Sequence, residues 1–310
     1  MKRYAAAAIC ALDAWIITNV AAIALVIVYY LVSDTDISNQ TITNGLEDCN
    51  AFGNFEWTAM IRSDNALCSG VLIHPKYVLT AGKQKLFLYV ISIFLSNCLN
   101  VFILAHCFSE SNLTHLGNIR VEFGNAAKPQ TLQLKSPEFY VPLHQGEDWF
   151  INKMFDIQII ELERTLDDID PVLLPLNAKD FYFIENEELV TVTLRNEHKQ
   201  RLTSGNRHEK CTKIHTRSAK WCAGEFSFFL KGLPDFSSIE EPSQFPMLCT
   251  TEYEPIPGES GGPLVQKLPS GKWVVVGIVS GGLRVEDDLL HSDFVSTAGH
   301  LKWINSIILQ

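Results

Sequence analysis

Apolar and polar residues alternate along much of this chain in short runs. Cys68-Ser69-Gly70-Val71-Leu72-Ile73 and Tyr77-Val78-Leu79-Thr80-Ala81 predict two β-strands, rich in branched residues and separated by the turn His74-Pro75-Lys76. Between Ile119 and Leu134, runs such as Ile119-Arg120-Val121-Glu122-Phe123 predict antiparallel strands with one buried face. Trp273 to Gly282 predicts a further strand. The tail from Thr297 to Gln310 sets Leu301, Ile304 and Ile308, with Trp303 and Ile307, at helical spacing, which predicts a closing amphipathic helix.

Two apolar runs break this short rhythm. After Lys2 and Arg3, residues Ala14 to Val32 give 19 residues interrupted only by Thr18 and Asn19, close to the length that spans a bilayer. Residues 1–33 therefore read as a signal peptide or a signal anchor, with the rest of the chain outside the cytoplasm. The sequons Asn39-Gln40-Thr41 and Asn112-Leu113-Thr114 agree with export and make Asn39 and Asn112 candidate glycosylation sites. The second run, Leu86 to Leu104, is also 19 residues long.

Composition narrows the class. A chain of 310 residues, 47% of them apolar, can bury a full core, and a net charge of −10 gives no general reason to expect nucleic acid as a partner. One local exception runs from Arg195 to Lys220, where eight Lys and Arg are interleaved with His198, His208 and His215. It reads as a solvated surface loop, with a docking site for an acidic partner as the alternative. Eight cysteines contain no Cys-x-x-Cys pair, so a structural zinc site is not indicated. Cys10 and Cys98 lie in the apolar runs, and the remaining six suggest three disulfides in an exported domain.

The candidate chemistry centres on Pro257-Gly258-Glu259-Ser260-Gly261-Gly262-Pro263. A serine fenced by glycines suits a hydroxyl on a tight turn, with backbone N–H groups crowded near a substrate. Such a hydroxyl needs a base and a carboxylate to orient that base. Ala105-His106-Cys107 and Phe155-Asp156-Ile157 supply both, in the order His, Asp, Ser. On these motifs, residues 42–310 resemble a trypsin/chymotrypsin-type serine protease.

The resemblance implies an all-β fold of two six-stranded antiparallel β-barrels with a C-terminal helix, joined through the linker Asp167-Asp168-Ile169-Asp170-Pro171. It implies His106 as general base, Asp156 as the group that orients it, Ser260 as nucleophile, and the N–H groups of Gly258 and Ser260 as the oxyanion hole. Glu254, Ser280 and Gly282 fall at substrate-binding positions. By the same resemblance Cys68 pairs with Cys107, Cys49 with Cys211, and Cys222 with Cys249. Ile42 would be the N-terminus after removal of a pro-segment, 34–41. Such a domain needs no cofactor or metal, acts on a protein or peptide substrate, is open to a protein inhibitor, and works as a monomer that touches a membrane only through its N-terminal apolar segment.

Several positions depart from the family pattern. Thr41 precedes Ile42 where a basic residue usually stands, Glu259 replaces the usual Asp, and Gly281 stands in place of a tryptophan. Most unusual, 23 residues, Gly82 to Leu104, separate Ala81 from Ala105, and removing them restores Leu79-Thr80-Ala81-Ala105-His106-Cys107. A membrane-spanning helix there would put Cys68 and Cys107 on opposite sides of a bilayer, and a buried insert would need room that a closed barrel lacks. A retained intron fits best, since Gly-Lys and Leu-Ala can encode splice donor and acceptor signals. A catalytically inactive homologue acting as a binding or regulatory module is the alternative reading.

Overall fold

The computed structural model describes residues 46–49, 55–63, 67–82, 107, 119–123, 130–134, 138–142, 154–176, 188–196, 207–218, 220–224, 246–285 and 288–310. Gly45–Gln310 forms one compact unit. The N-terminal apolar segment, Ile42, Asn39 and Asn112 lie outside the described residues, as do His106 and 83–104. No helix among the described residues is long and apolar enough to cross a membrane.

The unit is built from two curled antiparallel sheets of seven strands each. The first contains β2 (Thr58–Arg62), β3 (Leu67–His74), β4 (Tyr77–Thr80), β5 (Ile119–Phe123), β6 (Gln130–Leu134), β7 (Glu138–Tyr140) and β8 (Gln158–Glu161), in spatial order β6-β5-β2-β3-β4-β8-β7. The second runs β1-β10-β9-β12-β13-β14-β11. Its strands are β1 (Leu46–Asp48), β9 (Glu188–Asn196), β10 (Arg207–His215), β11 (Met247–Thr250), β12 (Pro263–Lys267), β13 (Trp273–Val285) and β14 (Asp288–Ser296). The expectation of six strands per barrel is thus corrected to seven per sheet. In the second sheet the additional member is β1, which reaches across to pair with β10, Glu47 opposite Cys211.

Val71, Leu72, Val78, Leu79, Val121, Ile159 and Ile160 are buried in the first sheet, and Val190, Val192, Val275, Ile278 and Val295 in the second. Burying such side chains is worth about 1.5–3 kcal/mol each, and neighbours such as Val71 and Leu72, or Val78 and Leu79, are buried together, so these strands are covered on both faces. The stretch from Arg195 to Lys220 departs from the predicted loop, because 207–215 is strand β10. Cys211, Thr212 and Ile214 are buried there, while Lys213 pairs with Glu188 at 3.6 Å. The continuous pairing of β10 with β9, rather than the segment's charge, decides its structure.

Disulfides join Cys49 to Cys211, Cys68 to Cys107 and Cys222 to Cys249, with Cα separations of 5.2, 5.6 and 5.7 Å. The connector after β8 is stitched to both sheets, since the Val172 N–H donates to the Leu72 carbonyl and the Leu173 N–H to the Trp273 carbonyl. The C-terminal helix, α1 (Leu301–Ile308), buries Leu301, Ile304 and Ile307. Ile308, at the helix end, packs only partly against the core.

Candidate active site

Ser260 lies on the turn that leads into β12, and its surroundings explain the glycines on either side. Gly258 and Gly261 have φ of 99° and 83°, a region L side chains rarely adopt. At Gly261 space forbids a side chain as well, because a Cβ would meet the Ser69 carbonyl oxygen and the Thr80 hydroxyl at 2.2 Å. The turn is therefore pressed against β3 and β4. The Ser69 N–H donates to the Ser260 carbonyl at 2.8 Å, and the Ser69 hydroxyl donates to the Gly258 carbonyl at 2.9 Å.

Backbone bonds fix the rest of the turn. The Glu259 N–H donates to the Ile256 carbonyl, the Gly261 N–H to the Val279 carbonyl, and the Gly262 N–H to the Glu259 carbonyl. Among the described residues, the N–H groups of Gly258 and Ser260 donate to no protein acceptor. Both proposed donors are thus left over once the turn has satisfied its other amides.

Asp156 lies just before β8 and is fully buried. Its Oδ2 accepts a hydrogen bond of 2.7 Å from the Ser280 hydroxyl on β13, so the two sheets meet at this carboxylate. The ring of Phe155 packs edge-on against His300 at 5.4 Å. Burial pushes the His300 imidazole below its ordinary value, and its Nδ1 lies 3.0 Å from the Ser296 carbonyl.

His106 lies outside the described residues, but its neighbour Cys107 does not. Cys107 Sγ is 3.7 Å from the Ser260 carbonyl oxygen and 3.8 Å from the Thr80 hydroxyl. Thr80 and Cys107 thus meet beside the nucleophile candidate. Gly82 lies against the backbone of Ile157, where a Cβ would lie 2.8 Å from the nitrogen.

Glu259 is buried, and its carboxylate accepts from the Tyr253 hydroxyl at 2.7 Å, the Ile256 N–H at 3.0 Å and the Thr193 hydroxyl at 3.2 Å. The sequence pointed to Glu259 as a departure but gave no sign of Tyr253 or Thr193, which lie on separate stretches of chain. Glu254 is half-buried beside Tyr253. Gly282 faces Ser292 across β13 and β14, and the Ser292 hydroxyl donates to the Tyr253 carbonyl. Ser292 is a third side chain that sequence reasoning missed. Among the described residues, no group of His, Cys, Asp and Glu is arranged to hold a metal ion.

No protein-family model matches this chain. Over 51 residues it is 43% identical to phenoloxidase-activating enzyme 1 of Spodoptera litura, a stretch that covers 16% of this chain and 14% of that protein. With its two curled sheets and its three cross-links, the chain fits a chymotrypsin-like protease fold, and this partial match relates it to an insect serine-protease-type enzyme.

Proposed function

We propose that the chain is an exported serine endopeptidase that cleaves peptide bonds through His106, Asp156 and Ser260. The observation that supports this reading is the Cys107 Sγ lying 3.7 Å from the Ser260 carbonyl oxygen, together with a buried Asp156 carboxylate that accepts from the Ser280 hydroxyl. In the proposed reaction the Ser260 hydroxyl attacks the scissile carbonyl carbon while His106 takes its proton. The resulting oxyanion is held by the Gly258 and Ser260 N–H groups. Removing one such donor in other hydrolases costs roughly 3–4 kcal/mol of transition-state stabilisation. His106 then returns the proton to the leaving amine, and water hydrolyses the acyl-enzyme by the reverse sequence. Asp156, held by Ser280, orients the imidazole.

The substrate is a protein or peptide, with Glu254, Ser280 and Gly282 lining its path, and Glu254 favours a basic side chain. Three disulfides support an extracellular location. Segment 82–104 is read as a retained intron; the contact of Thr80 with Cys107, residues that flank it at a small remove, supports that reading. A regulatory, catalytically silent module is the second reading, favoured by the Glu259 carboxylate being engaged by Tyr253 and Thr193 rather than being reserved for a freed Ile42 ammonium.

A fluorophosphonate label tests the choice. Covalent modification of Ser260, lost in Ser260→Ala, supports the enzyme. A folded, disulfide-intact chain that takes no label, with or without 82–104, supports the silent module.

A further inference from the structure

We propose that Ser69 is a positioning residue whose hydroxyl fixes the peptide plane of the Gly258 turn from the opposite sheet, and so holds the Gly258 and Ser260 N–H groups in place. The inference rests on the proposed function for its catalytic consequence, but not for its structural content.

Ser69 is fully buried in β3 and is the only residue among those described that binds two carbonyls of this turn. Its N–H reaches the Ser260 carbonyl and its hydroxyl reaches the Gly258 carbonyl. Those carbonyls belong to the Gly258–Glu259 and Ser260–Gly261 peptides. The partner N–H of the first donates to Ile256, and that of the second to Val279. Each plane is consequently held at both ends. The intervening Glu259–Ser260 peptide, which carries one of the two left-over donors, is suspended between them, with its carbonyl taken by the Gly262 N–H.

The backbone bond from Ser69 would persist whatever the side chain. The hydroxyl is different, because only a serine or threonine at this position reaches the Gly258 carbonyl. Gly258, with φ of 99°, has no Cβ to restrict its own rotation, so the plane that follows it is the one most in need of an external hold. A donor supplied by the other sheet also makes the geometry of the turn depend on the sheets being correctly docked.

Ser69→Ala removes the hydroxyl without adding volume, and Ser69→Thr retains it. On a peptide amide substrate, Ser69→Ala should lower kcat by roughly tenfold with KM within about twofold, in line with one lost hydrogen bond acting on transition-state donors, and Ser69→Thr should recover most of kcat. Hydrogen exchange over 253–262 should quicken in Ser69→Ala while exchange over 67–74 stays at the wild-type rate. An unchanged kcat, a loss carried equally by KM, or unaltered exchange over 253–262 overturns the proposal. If the wild-type chain neither turns over substrate nor labels at Ser260, the enzymatic reading fails by itself. Exchange then decides the role of Ser69: quickening upholds the hold on the turn, and no change refutes it.

Discussion

The Ser280 hydroxyl donates to the Asp156 carboxylate across 2.7 Å, linking β13 of one sheet to the residue two before β8 of the other. Both side chains are buried, so the bond is shielded from water. Ser280→Ala should cost about 1–3 kcal/mol in unfolding free energy, measured by urea denaturation, because a carboxylate kept from water loses a donor. Asp156→Asn should keep the fold and reduce kcat by about 10⁴ if Asp156 sets the imidazole tautomer.

Gly261→Ala should be far more damaging than a glycine-to-alanine change in a loop. The added methyl would meet two oxygens at 2.2 Å, one of them backbone, at a φ that already disfavours alanine. Loss of more than about 3 kcal/mol of stability is expected, or failure to secrete a folded product. Gly271→Ala is the matched control, since it has a similar φ of 82° and nothing within 4 Å of its Cβ position. It should cost only about 1 kcal/mol.

Removing the apolar segment should improve the protein. Thr80 and Cys107 already meet, so deletion of 82–104 closes a short path and retains the Cys68–Cys107 bond. Deletion of 83–105 does the same and keeps Gly82 against Ile157, where a Cβ is crowded. Secreted yield and melting temperature should rise for both, with the second variant at least as stable as the first. A drop below the full-length chain in both would show that the segment is part of the fold.

His300 gives a pH dependence of definite sign. Burial holds its imidazole below the ordinary 6.5, so above that pH it is neutral in both folded and unfolded chains and costs nothing. As pH falls from 6.5 towards the lower folded value, the unfolded chain takes up a proton that the native one refuses, and stability declines by at most about 1.4 kcal/mol per pH unit. A urea midpoint series between pH 7.5 and about 5 should show that decline, and His300→Phe, which fits the company of Phe155 and Trp303, should flatten it.

Much of the strand framework was legible because short runs rich in branched apolar residues are bounded by turns. Tyr77 to Thr80, after the turn at Pro75 and Lys76, and Ile119 to Phe123 are strands with Val78, Leu79 and Val121 buried. The Ser260 turn was legible from Gly258 and Gly261, and the structure supplies the reason, a left-handed backbone and a neighbouring strand with no room for a methyl. Ser69, Thr193, Tyr253 and Ser292 were not legible. Each is an ordinary polar residue in an ordinary strand or loop, and its role comes from a contact with a carbonyl or carboxylate, six residues away for Tyr253 and 39 or more away for the others. The Arg195 to Lys220 region misled because its charge was read while the pairing of β10 with β9, which makes it a strand, is decided by residues elsewhere in the chain. Local pattern encodes what a residue's neighbours in sequence decide, and these contacts are decided by docking.

The swapping of β1 onto the far sheet, locked by Cys49 and Cys211, has a practical consequence for this molecule in a protease-rich setting. Leu176, 90% exposed between β8 and β9, is an inviting place for a cut. Of the disulfides among the described residues, a break there would leave one fastening the two fragments together, the other two each being internal to a fragment. A nicked particle of this kind migrates as a single band until a thiol reagent is added, and only then parts into its two pieces.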